Sequence, residues 1–346
     1  MNDISKTNTV RTRIFKAILY GDYLSGSQLP AEREMSERAG TSRVTVRRAY
    51  EQLAAAGILR REQGRGTFVA AHSAGNQEPS NQIALLINVD SPFSLEFIQA
   101  VEREVTVNDM LLILRLTDET PEKDEQTAIE LVGKGVFNLI IWPSASALPS
   151  QIFGRLRILG VNMVFFDRML PGPYADYVGL DNDDAMARLF SCALPCDLAN
   201  PVFVTHSDLI ADSDKMREDA FMKNCLKRGL IGRIVALPFK ACFQKLPESL
   251  LKASAVFCVN DDMAARLQPQ LPGRRLFGID GLSDSFISYR QPMAEMARAA
   301  VAALLEQQRK GSKWKTSRRF FKGELINKSS HRMTDGWMNG LLDEWV

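Results

Sequence analysis

Two arginines four positions apart, Arg43 and Arg47, have the residue type and spacing that most directly suggest a binding chemistry in this chain. Guanidinium groups pair bidentately with phosphate oxygens or with the edge of a guanine base. On a helix, side chains four residues apart project side by side. Thr41 or Ser42 can cap the first turn of that helix, where exposed backbone N–H groups and the helix dipole suit a phosphate oxygen. The pattern predicts a short helix that enters a groove of DNA.

A helix over residues 40–53 would have two chemically different flanks at about 100° per residue. The apolar flank contains Val46, Ala49, Tyr50 and Leu53, and the basic flank contains Arg43, Val44, Arg47 and Arg48. The alternative is a solvated face of a helical bundle, since most charge runs are solvated. Here the charges coincide with a turn, a capped helix and a basic wing, which favours DNA binding.

The residues around this helix predict the small domain that would position it. The predicted elements are a helix over 10–20, a second over 31–39, the helix over 40–53 and two strands over 58–62 and 67–69. The two strands flank a glycine-bearing tip that carries Arg65. We therefore predict an α+β winged helix-turn-helix domain over residues 1–70.

Charge is distributed unevenly along the 346 residues. Residues 1–70 contain 12 Lys and Arg against 7 Asp and Glu, whereas the whole chain has a formal net charge of only +2. This asymmetry predicts a polyanionic partner for the first domain only. The N-terminus has no apolar signal region, and no apolar run is long enough to cross a bilayer. We therefore expect a cytoplasmic protein with no membrane partner.

The sequence gives little sign of metal, cofactor or catalytic chemistry. The five cysteines are odd in number and scattered, which favours reduced thiols over a disulfide framework. Cys192 and Cys196 could be proposed as metal ligands, but no second cysteine pair completes such a site. No GxGxxG or Walker pattern follows the strand that begins at residue 83, and only three histidines are present. We therefore expect no metal, no cofactor and no catalytic residues.

From residue 83 onward, buried strands alternate with helices. Predicted strands cover 83–89, 111–116, 139–142, 161–166, 202–205, 234–237, 255–259 and 276–279, with helices that include 185–193, 216–228 and 293–308. This alternation predicts an α/β fold with two parallel-sheet lobes and a ligand-binding cleft outside the carboxyl ends of the strands.

Three further stretches complete the predicted domain organisation. Residues 71–81 are small, polar and rich in helix breakers, which predicts a linker. Residues 82–346 would then form the two-lobed domain for effector binding and dimerisation. The segments 237–255 and 263–276 leave little room for full-length helices, so we expect a trimmed second lobe. The amphipathic tail 331–346 could cover this domain or extend a dimer contact.

Residues 10–69 resemble the DNA-binding domain of the GntR family of bacterial transcription regulators. The resemblance is carried by Leu29-Pro30-Ala31-Glu32-Arg33-Glu34, by Ser42-Arg43-Val44-Thr45-Val46-Arg47 and by Gly64-Arg65-Gly66-Thr67-Phe68-Val69. It implies that the residues approaching DNA are Arg33, Ser42, Arg43, Val44, Thr45, Arg47, Gln63 and Gly64, to which we add the wing-tip Arg65. Ala31 departs from the pattern, because many members have a hydroxyl cap there.

Residues 83–330 resemble the periplasmic-binding-protein-like effector domain of the LacI/GalR regulators. The segments that carry this resemblance include Asp167-Arg168, Val178-Gly179-Leu180-Asp181-Asn182, Val256-Phe257-Cys258-Val259-Asn260-Asp261 and Phe277-Gly278-Ile279-Asp280-Gly281. Together with the first domain, they make the chain similar to the arabinose-repressor type of hybrid regulator. The resemblance implies that the effector is a sugar.

A hydroxyl-rich ligand needs bidentate polar partners and an apolar wall. The candidate effector-binding residues are Phe93 for stacking, Asp118, Asn260 and Asp280 as hydroxyl acceptors, and Arg168 and Arg217 as forked donors. The alternative for each candidate is a purely structural role, and Asp167-Arg168 and Asp261 in particular would only cap elements or pair across the lobes. Trp142 fits the core and a sugar platform equally well.

These features predict a DNA-binding transcription regulator, a homodimeric repressor whose two recognition helices contact a pseudo-palindromic operator. A small, sugar-like effector in the cleft would change the spacing or freedom of the two helices. Two alternatives remain open: a ligand-independent repressor with a degenerate cleft, and an α/β enzyme that carries a DNA-binding module.

Overall fold

The structure is a computed structural model, and it describes residues 3–70, 81–89, 92–118, 120–144, 151–193, 198, 200–209, 211–239 and 245–326. Except for residue 81, the predicted linker lies outside the described residues, as do the tail 331–346 and the thiols Cys196 and Cys242. The chain divides into two compact units. The first contains residues 1–90, 97–178 and 297–319, and the second contains residues 91–96, 179–296 and 320–346.

A winged helix-turn-helix begins the first unit. Its elements are α1 (Asp3–Tyr20), α2 (Glu32–Ala39), α3 (Arg43–Ala55), β1 (Leu59–Glu62) and β2 (Gly66–Val69). The two strands are antiparallel, in a register that pairs Leu59 with Val69 and Glu62 with Gly66. The predicted apolar flank of α3 is buried, and α1 and α2 pack against it. The predicted first helix is correct in kind but begins seven residues earlier than residue 10.

The first unit also contains a six-stranded, mainly parallel sheet with its helices. The elements are β3 (Gln82–Ile87), α4 (Pro92–Val107), β4 (Leu111–Leu116), α5 (Pro121–Val132), β5 (Asn138–Ile141), α6 (Gln151–Ile158), β6 (Asn162–Phe166), β7 (Asp176–Leu180) and, from later in the chain, β13 (Arg318–Phe321). The strand order is β13-β7-β6-β5-β3-β4. The strands β5, β6 and β7 are buried along their whole length, as expected for parallel strands covered by helices.

The second unit contains another six-stranded sheet with its helices. The elements are α7 (Asn182–Ala193), β8 (Pro201–His206), α8 (Asp212–Lys227), β9 (Arg233–Leu237), α9 (Glu248–Leu251), β10 (Ala255–Cys258), α10 (Asp261–Leu267), β11 (Leu276–Ile279), β12 (Ile287–Arg290) and β14 (Glu324–Ile326). The strand order is β14-β12-β11-β10-β8-β9, and only β14 is antiparallel to its neighbour. Most of the last helix, α11 (Met293–Lys310), belongs to the first unit.

Two helices of the second unit, α9 and α10, are short. The helices α9 and α10 have only four and seven residues, in agreement with the short spacing noted in the sequence. The prediction of α/β architecture with parallel sheets is therefore confirmed together with that local shortening. Among the helices that the structure describes, none is long and apolar enough to cross a membrane.

Candidate nucleic-acid interface and ligand-binding residues

The start of α3 is fixed by a turn and a side-chain cap. Gly40 adopts left-handed backbone angles, φ 61° and ψ 39°, which a glycine accepts without strain. Ser42 is the N-cap residue, and its Oγ accepts a hydrogen bond from the Thr45 backbone N–H at 3.1 Å. Of the two predicted caps, Thr41 and Ser42, the structure selects Ser42.

Most of the predicted DNA-contacting side chains lie on the surface of the domain. The exposed residues are Arg33, Ser42, Arg43, Val44, Arg47, Gln63, Gly64 and Arg65. Val44 is 53 % exposed on the recognition helix, where it offers an apolar surface of the kind that contacts a thymine methyl. Thr45 differs from this group because it is only 2 % exposed and its Oγ1 lies 2.8 Å from the Ser42 Oγ. The side chain of Thr45 therefore stabilises the N-cap instead of lying on the surface.

Carboxylates hold the basic side chains of the helix and the wing in place. The Glu32 side chain accepts from Arg47 Nε at 3.0 Å and from Arg61 Nη2 at 2.9 Å. At the wing, Glu62 pairs with Arg60 at 2.7 Å and with Arg65 at 2.5 Å. These arginines are 41–74 % exposed, so each pair contributes little to stability but restricts where the cations can reach.

The wing is attached to the loop between α1 and α2. Backbone N–H groups of Gly26 and Leu29 donate to the carbonyls of Val69 and Thr67, at 3.0 and 2.8 Å. The Gln28 side chain donates to the Arg65 carbonyl at 2.8 Å. Gly66 has φ +121°, a conformation that favours glycine, and a Cβ there would lie 2.5 Å from Gln28 Nε2 and displace that amide. These hydrogen bonds join the wing to the helix-turn-helix, so the two parts form one continuous surface.

In the first unit, two candidate effector residues follow strands at the carboxyl edge of the sheet. Asp118 follows the edge strand β4, is exposed, and accepts a hydrogen bond from the Thr120 N–H at 3.2 Å. Arg168 follows β6 and donates to the Pro143 carbonyl at 3.0 Å. Strands β3 and β5 separate them, so their backbones are about 14 Å apart across the sheet.

Trp142, at the end of β5, belongs to an aromatic cluster in the first unit. It makes edge contacts with Phe97 and Phe166, at 5.8 and 5.0 Å between ring centroids. The indole is buried along with both phenyl rings. Of the two interpretations offered by the sequence, the core interpretation describes this residue.

In the second unit, Arg217 and Asn260 meet at the carboxyl end of β10. Arg217 is 5 % exposed and donates to the Val259 carbonyl at 2.8 Å and to Asn182 Oδ1 at 3.2 Å. Asn260, the next residue, caps α10 by accepting from the Met263 N–H at 2.9 Å. Asn260 therefore has at least the capping role that was its alternative interpretation.

Asp280 follows β11, the strand beside β10. Its backbone φ is +131°, an unusual value for an aspartate, and its Oδ1 accepts from Gln291 Nε2 at 3.1 Å. Strained residues of this kind concentrate at functional sites. Phe93, also in the second unit, is buried in the first turn of α4. Asn260 and Asp280 thus follow the carboxyl ends of β10 and β11, and Arg217 of α8 reaches the same end of β10 through the Val259 carbonyl.

Asp261, which carries part of the family resemblance but is not among the candidate effector residues, is a buried carboxylate beside this edge. It accepts hydrogen bonds from the Ser288 hydroxyl at 2.6 Å and from the Leu282 N–H at 2.7 Å. Burial raises the pKa of Asp261, and these hydrogen bonds oppose the rise. The signal for Asp261 in the sequence was its place directly after Asn260, where a helix begins.

The thiols in the described part of the chain behave as small apolar groups. Cys225 and Cys258 are buried and unbridged, and Cys192 is half-buried and unbridged. Burial raises the pKa of the Cys225 thiol to about 11 and that of Cys258 above its ordinary value. Both thiols are therefore protonated and unreactive near neutral pH.

Comparison with known proteins supports the same architecture. Residues 6–69 match the family of bacterial regulatory proteins named gntR. Over 68 residues the chain is 43 % identical to the "Probable fructoselysine utilization operon transcriptional repressor" of Escherichia coli strain K12, a match that covers 20 % of this chain and 28 % of that protein. The chain therefore spans little more than a quarter of the length of this relative.

Two longer similarities include the α/β region. The "Arabinose metabolism transcriptional repressor" of Halalkalibacterium halodurans is 21 % identical over 343 residues, covering 88 % of this chain and 91 % of that one. The crystal structure of a periplasmic binding protein/LacI transcriptional regulator from Alkaliphilus metalliredigens, complexed with D-xylulofuranose, has a TM-score of 0.60 and 17 % identity. The match covers 72 % of this chain and 98 % of the chain in that crystal structure.

The fold is therefore that of a winged helix-turn-helix followed by an α/β region of the periplasmic-binding-protein and LacI type. Residues 6–69 match the gntR family, and the similarity to the arabinose repressor extends over both this segment and the α/β region. Both predicted resemblances, and the predicted fold class, are confirmed.

Proposed function

We propose that this chain is a sequence-specific DNA-binding transcription regulator, a repressor that acts in the cytoplasm and responds to a small ligand. The observation that carries the proposal is the exposed basic surface of α3, which a serine cap, a left-handed glycine turn and an attached wing hold in one orientation. The relatives are named as repressors, which supports regulation and gives no reason to assign a catalytic role.

At the DNA, we propose that Arg43, Val44 and Arg47 meet base edges in the major groove. Arg33 and the wing residues Gln63, Gly64 and Arg65 would contact the phosphate backbone or the adjacent groove. Thr45 would act by holding the Ser42 cap, since its own side chain is buried. The N-terminal turn of α3 would direct its free N–H groups to a phosphate.

We further propose a sugar or related metabolite as the ligand. The two relatives carry the names arabinose and fructoselysine, and the crystal structure that shares the fold contains D-xylulofuranose. Phe93, Asp118, Arg168, Arg217, Asn260 and Asp280 are the residues we assign to this ligand. Five of them follow a strand at a carboxyl edge or lie in the first turn of the helix that begins there, and Arg217 of α8 donates to the Val259 carbonyl at such an edge. This is the edge at which open α/β sheets bind ligands.

A homodimer with residues 71–81 as linker and 82–346 as dimerisation body completes the proposal. The edge strand β4 exposes Leu111, Leu114 and Leu116, which are 59, 41 and 58 % exposed, and Val107 just before it is 80 % exposed. An apolar edge of this kind is a liability unless another chain covers it. Two copies would present two α3 helices to a pseudo-palindromic operator.

The test of this function has a DNA part and a ligand part. Selection of bound duplexes from a random library, with the full chain as bait, is expected to yield a pseudo-palindromic sequence; recovery of no preferred sequence contradicts the proposal. A thermal-shift series over arabinose, ribose, fructose and polyols is expected to show one saturable stabilisation. DNA selection without any ligand shift would favour the ligand-independent repressor, for which the short α9 and α10 argue.

A further inference from the structure

The winged helix is packed against the sheet region of the first unit. Phe15 and Leu19, on the C-terminal half of α1, are buried in an apolar cluster that continues into Val132 of α5 and Phe153 of α6. Gly135 permits this approach, because its φ is +91° and a Cβ there would lie 3.3 Å from the Ala56 Cα. A Cβ on Gly133 would lie 3.5 Å from the Phe15 ring, an ordinary van der Waals contact. The two parts therefore share one hydrophobic core.

An arginine of α6, Arg155, caps the C-terminal end of α1. Arg155 Nη1 donates to the Leu19 carbonyl at 3.1 Å, and its guanidinium lies 5.4 Å from the centroid of the Tyr20 ring. The last turn of α1 contains no basic residue of its own. Since a helix C-terminus is electronegative and is stabilised by cations, Arg155 supplies from α6 the charge that α1 lacks.

A groove of 880 Å³ lies between α1 and α5, and its lining includes Arg13, Lys16 and Lys134. Partial burial lowers the pKa of Arg11, and the charge of Glu130 on α5 opposes this effect. Basic side chains of α1 thus line a groove, whereas Phe15 and Leu19 of the same helix are buried in the shared core.

The helix that carries Arg155 is itself held firmly. Arg157, two residues later, donates to the Val161 carbonyl and to Gln307 Oε1, both at 3.1 Å, and stacks on Trp314 at 4.0 Å. Gln307 is fully buried and its amide donates to the Met163 carbonyl at 2.8 Å. Helix α6 is therefore fixed to β6 and offers α1 a rigid base.

We propose that this contact, and not the linker, sets the position of the recognition helix, with Arg155 as its positioning residue. The inference rests on the proposed function. The docked surface of α1 is separate from the exposed basic side of α3, where Arg43 and Val44 remain accessible, so the docked winged helix is free to bind DNA. In a dimer, docking both winged helices fixes the distance between two half-sites before DNA is bound, which lowers the entropic cost of engaging both.

The decisive variant is Arg155→Ala in the full chain, with Arg103→Ala, an exposed arginine on α4, as the matched control. Duplexes that carry the selected operator and a single half-site would be titrated by fluorescence anisotropy. We expect Arg155→Ala to lose roughly tenfold in affinity for the full operator and to bind the half-site as the unmodified chain does. A merely structural defect would lower both affinities together. Equal operator affinity in the two variants would overturn the inference and leave the proposed function standing.

Hydrogen exchange supplies a readout that does not depend on DNA. Amide exchange in the last turn of α1, at Leu19 and Tyr20, is expected to accelerate in Arg155→Ala while exchange in the centre of α3 stays protected. Unchanged exchange at α1 would overturn the docking role. If the unmodified chain bound no DNA, the proposed function and the operator part of this inference would fail together, and exchange would still decide whether Arg155 holds α1.

Discussion

Arg47 Nε of the recognition helix lies 3.0 Å from Glu32 Oε2, so a residue proposed to contact bases is held by a carboxylate of the preceding helix. Glu32 is 21 % exposed and Arg47 is 59 % exposed. The same carboxylate also receives Arg61 of the first wing strand. One acidic group thereby restrains a cation of the helix and a cation of the wing.

Replacing Glu32 is expected to raise affinity for DNA of any sequence. In Glu32→Gln the amide no longer holds Arg47 by charge, whereas Arg61 keeps its ion pair with Glu51 at 3.3 Å. Arg47 can then pair with a phosphate, and the salt slope of binding should steepen by about one phosphate contact. Titration of a random duplex at several salt concentrations measures this. Glu37→Gln, an exposed residue of the same helix, is the control. A ratio of operator to random affinity that does not fall would argue against this restraint.

Removing the Arg47 side chain is expected to weaken operator binding by about 1 to 3 kcal/mol. The loss arises because a bidentate guanidinium contact has no substitute on alanine. Stability should change little, since an exposed ion pair contributes about 1 kcal/mol or less. Gel-shift titration against the selected operator measures the change. Unaltered affinity would remove Arg47 from the interface.

Alanine substitutions at the two wing glycines, Gly64 and Gly66, separate backbone strain from steric conflict. Alanine at Gly64, φ +75°, meets no atom within 4 Å and carries only the backbone strain of a positive φ. Alanine at Gly66 adds a steric conflict with the Gln28 side chain. We expect Gly66→Ala to lower DNA affinity more than Gly64→Ala and to cost about 1 to 3 kcal/mol in the free energy of unfolding. Equal effects in urea unfolding and anisotropy would show that Gln28 simply moves aside.

Arg217 is expected to govern the ligand response without affecting DNA binding. Arg217→Lys keeps the charge beside the Val259 carbonyl but loses the planar fork that also reaches Asn182. The thermal shift produced by a bound sugar should disappear, while operator affinity in the absence of sugar stays within about twofold. Far-ultraviolet circular dichroism would check that the buried substitution is tolerated. A normal sugar dose-response curve would place the ligand elsewhere.

Acid sensitivity is expected to depend on the contact between Tyr289 and Asp184. Burial alone would raise the pKa of Asp184, but the Tyr289 hydroxyl, which donates at 2.6 Å, together with Lys322 and Arg188, lowers it below its ordinary value. A lowered folded-state pKa adds stability above the unfolded value of about 3.9, and this stability is lost as the pH falls through the folded value. In Tyr289→Phe, the loss of urea stability between about pH 5 and about pH 3 should be smaller. An identical profile would contradict this assignment.

Strands with strong apolar patterns were predictable from the sequence. The strand over 111–116 and the one over 276–279 have the predicted bounds, because each is an apolar run ended by polar or turn-forming residues. The strands β7, β12, β13 and β14 were missed. Arg318–Phe321 and Glu324–Ile326 carry charges and partly exposed side chains, so only pairing with neighbouring strands stabilises them as strands.

The residue types at the candidate DNA interface were predictable, but the partners of these residues were not. The local spacing of a capped basic helix is enough to predict Arg43 and Arg47 as candidate contacts. Glu32 reaches Arg61 across 29 positions, and Arg155 reaches Leu19 across 136, and no periodic pattern encodes such contacts. Thr45 is among the predicted DNA contacts because the family resemblance implies it, but it lies four residues before Ala49 on the buried flank of α3 and is 2 % exposed.

The shared core around Phe15 limits how the winged helix can be recombined with other domains. A winged helix excised at residue 70 would expose a phenyl ring that is 1 % accessible in the whole chain. In a graft onto a foreign α/β body, a side chain at the position of Gly135, whose φ is +91°, would place its Cβ 3.3 Å from the Ala56 Cα. Evolution or engineering that exchanges the winged helix must therefore exchange α5 and α6 with it. The unit that can be exchanged extends beyond the winged helix into the helices of the first sheet.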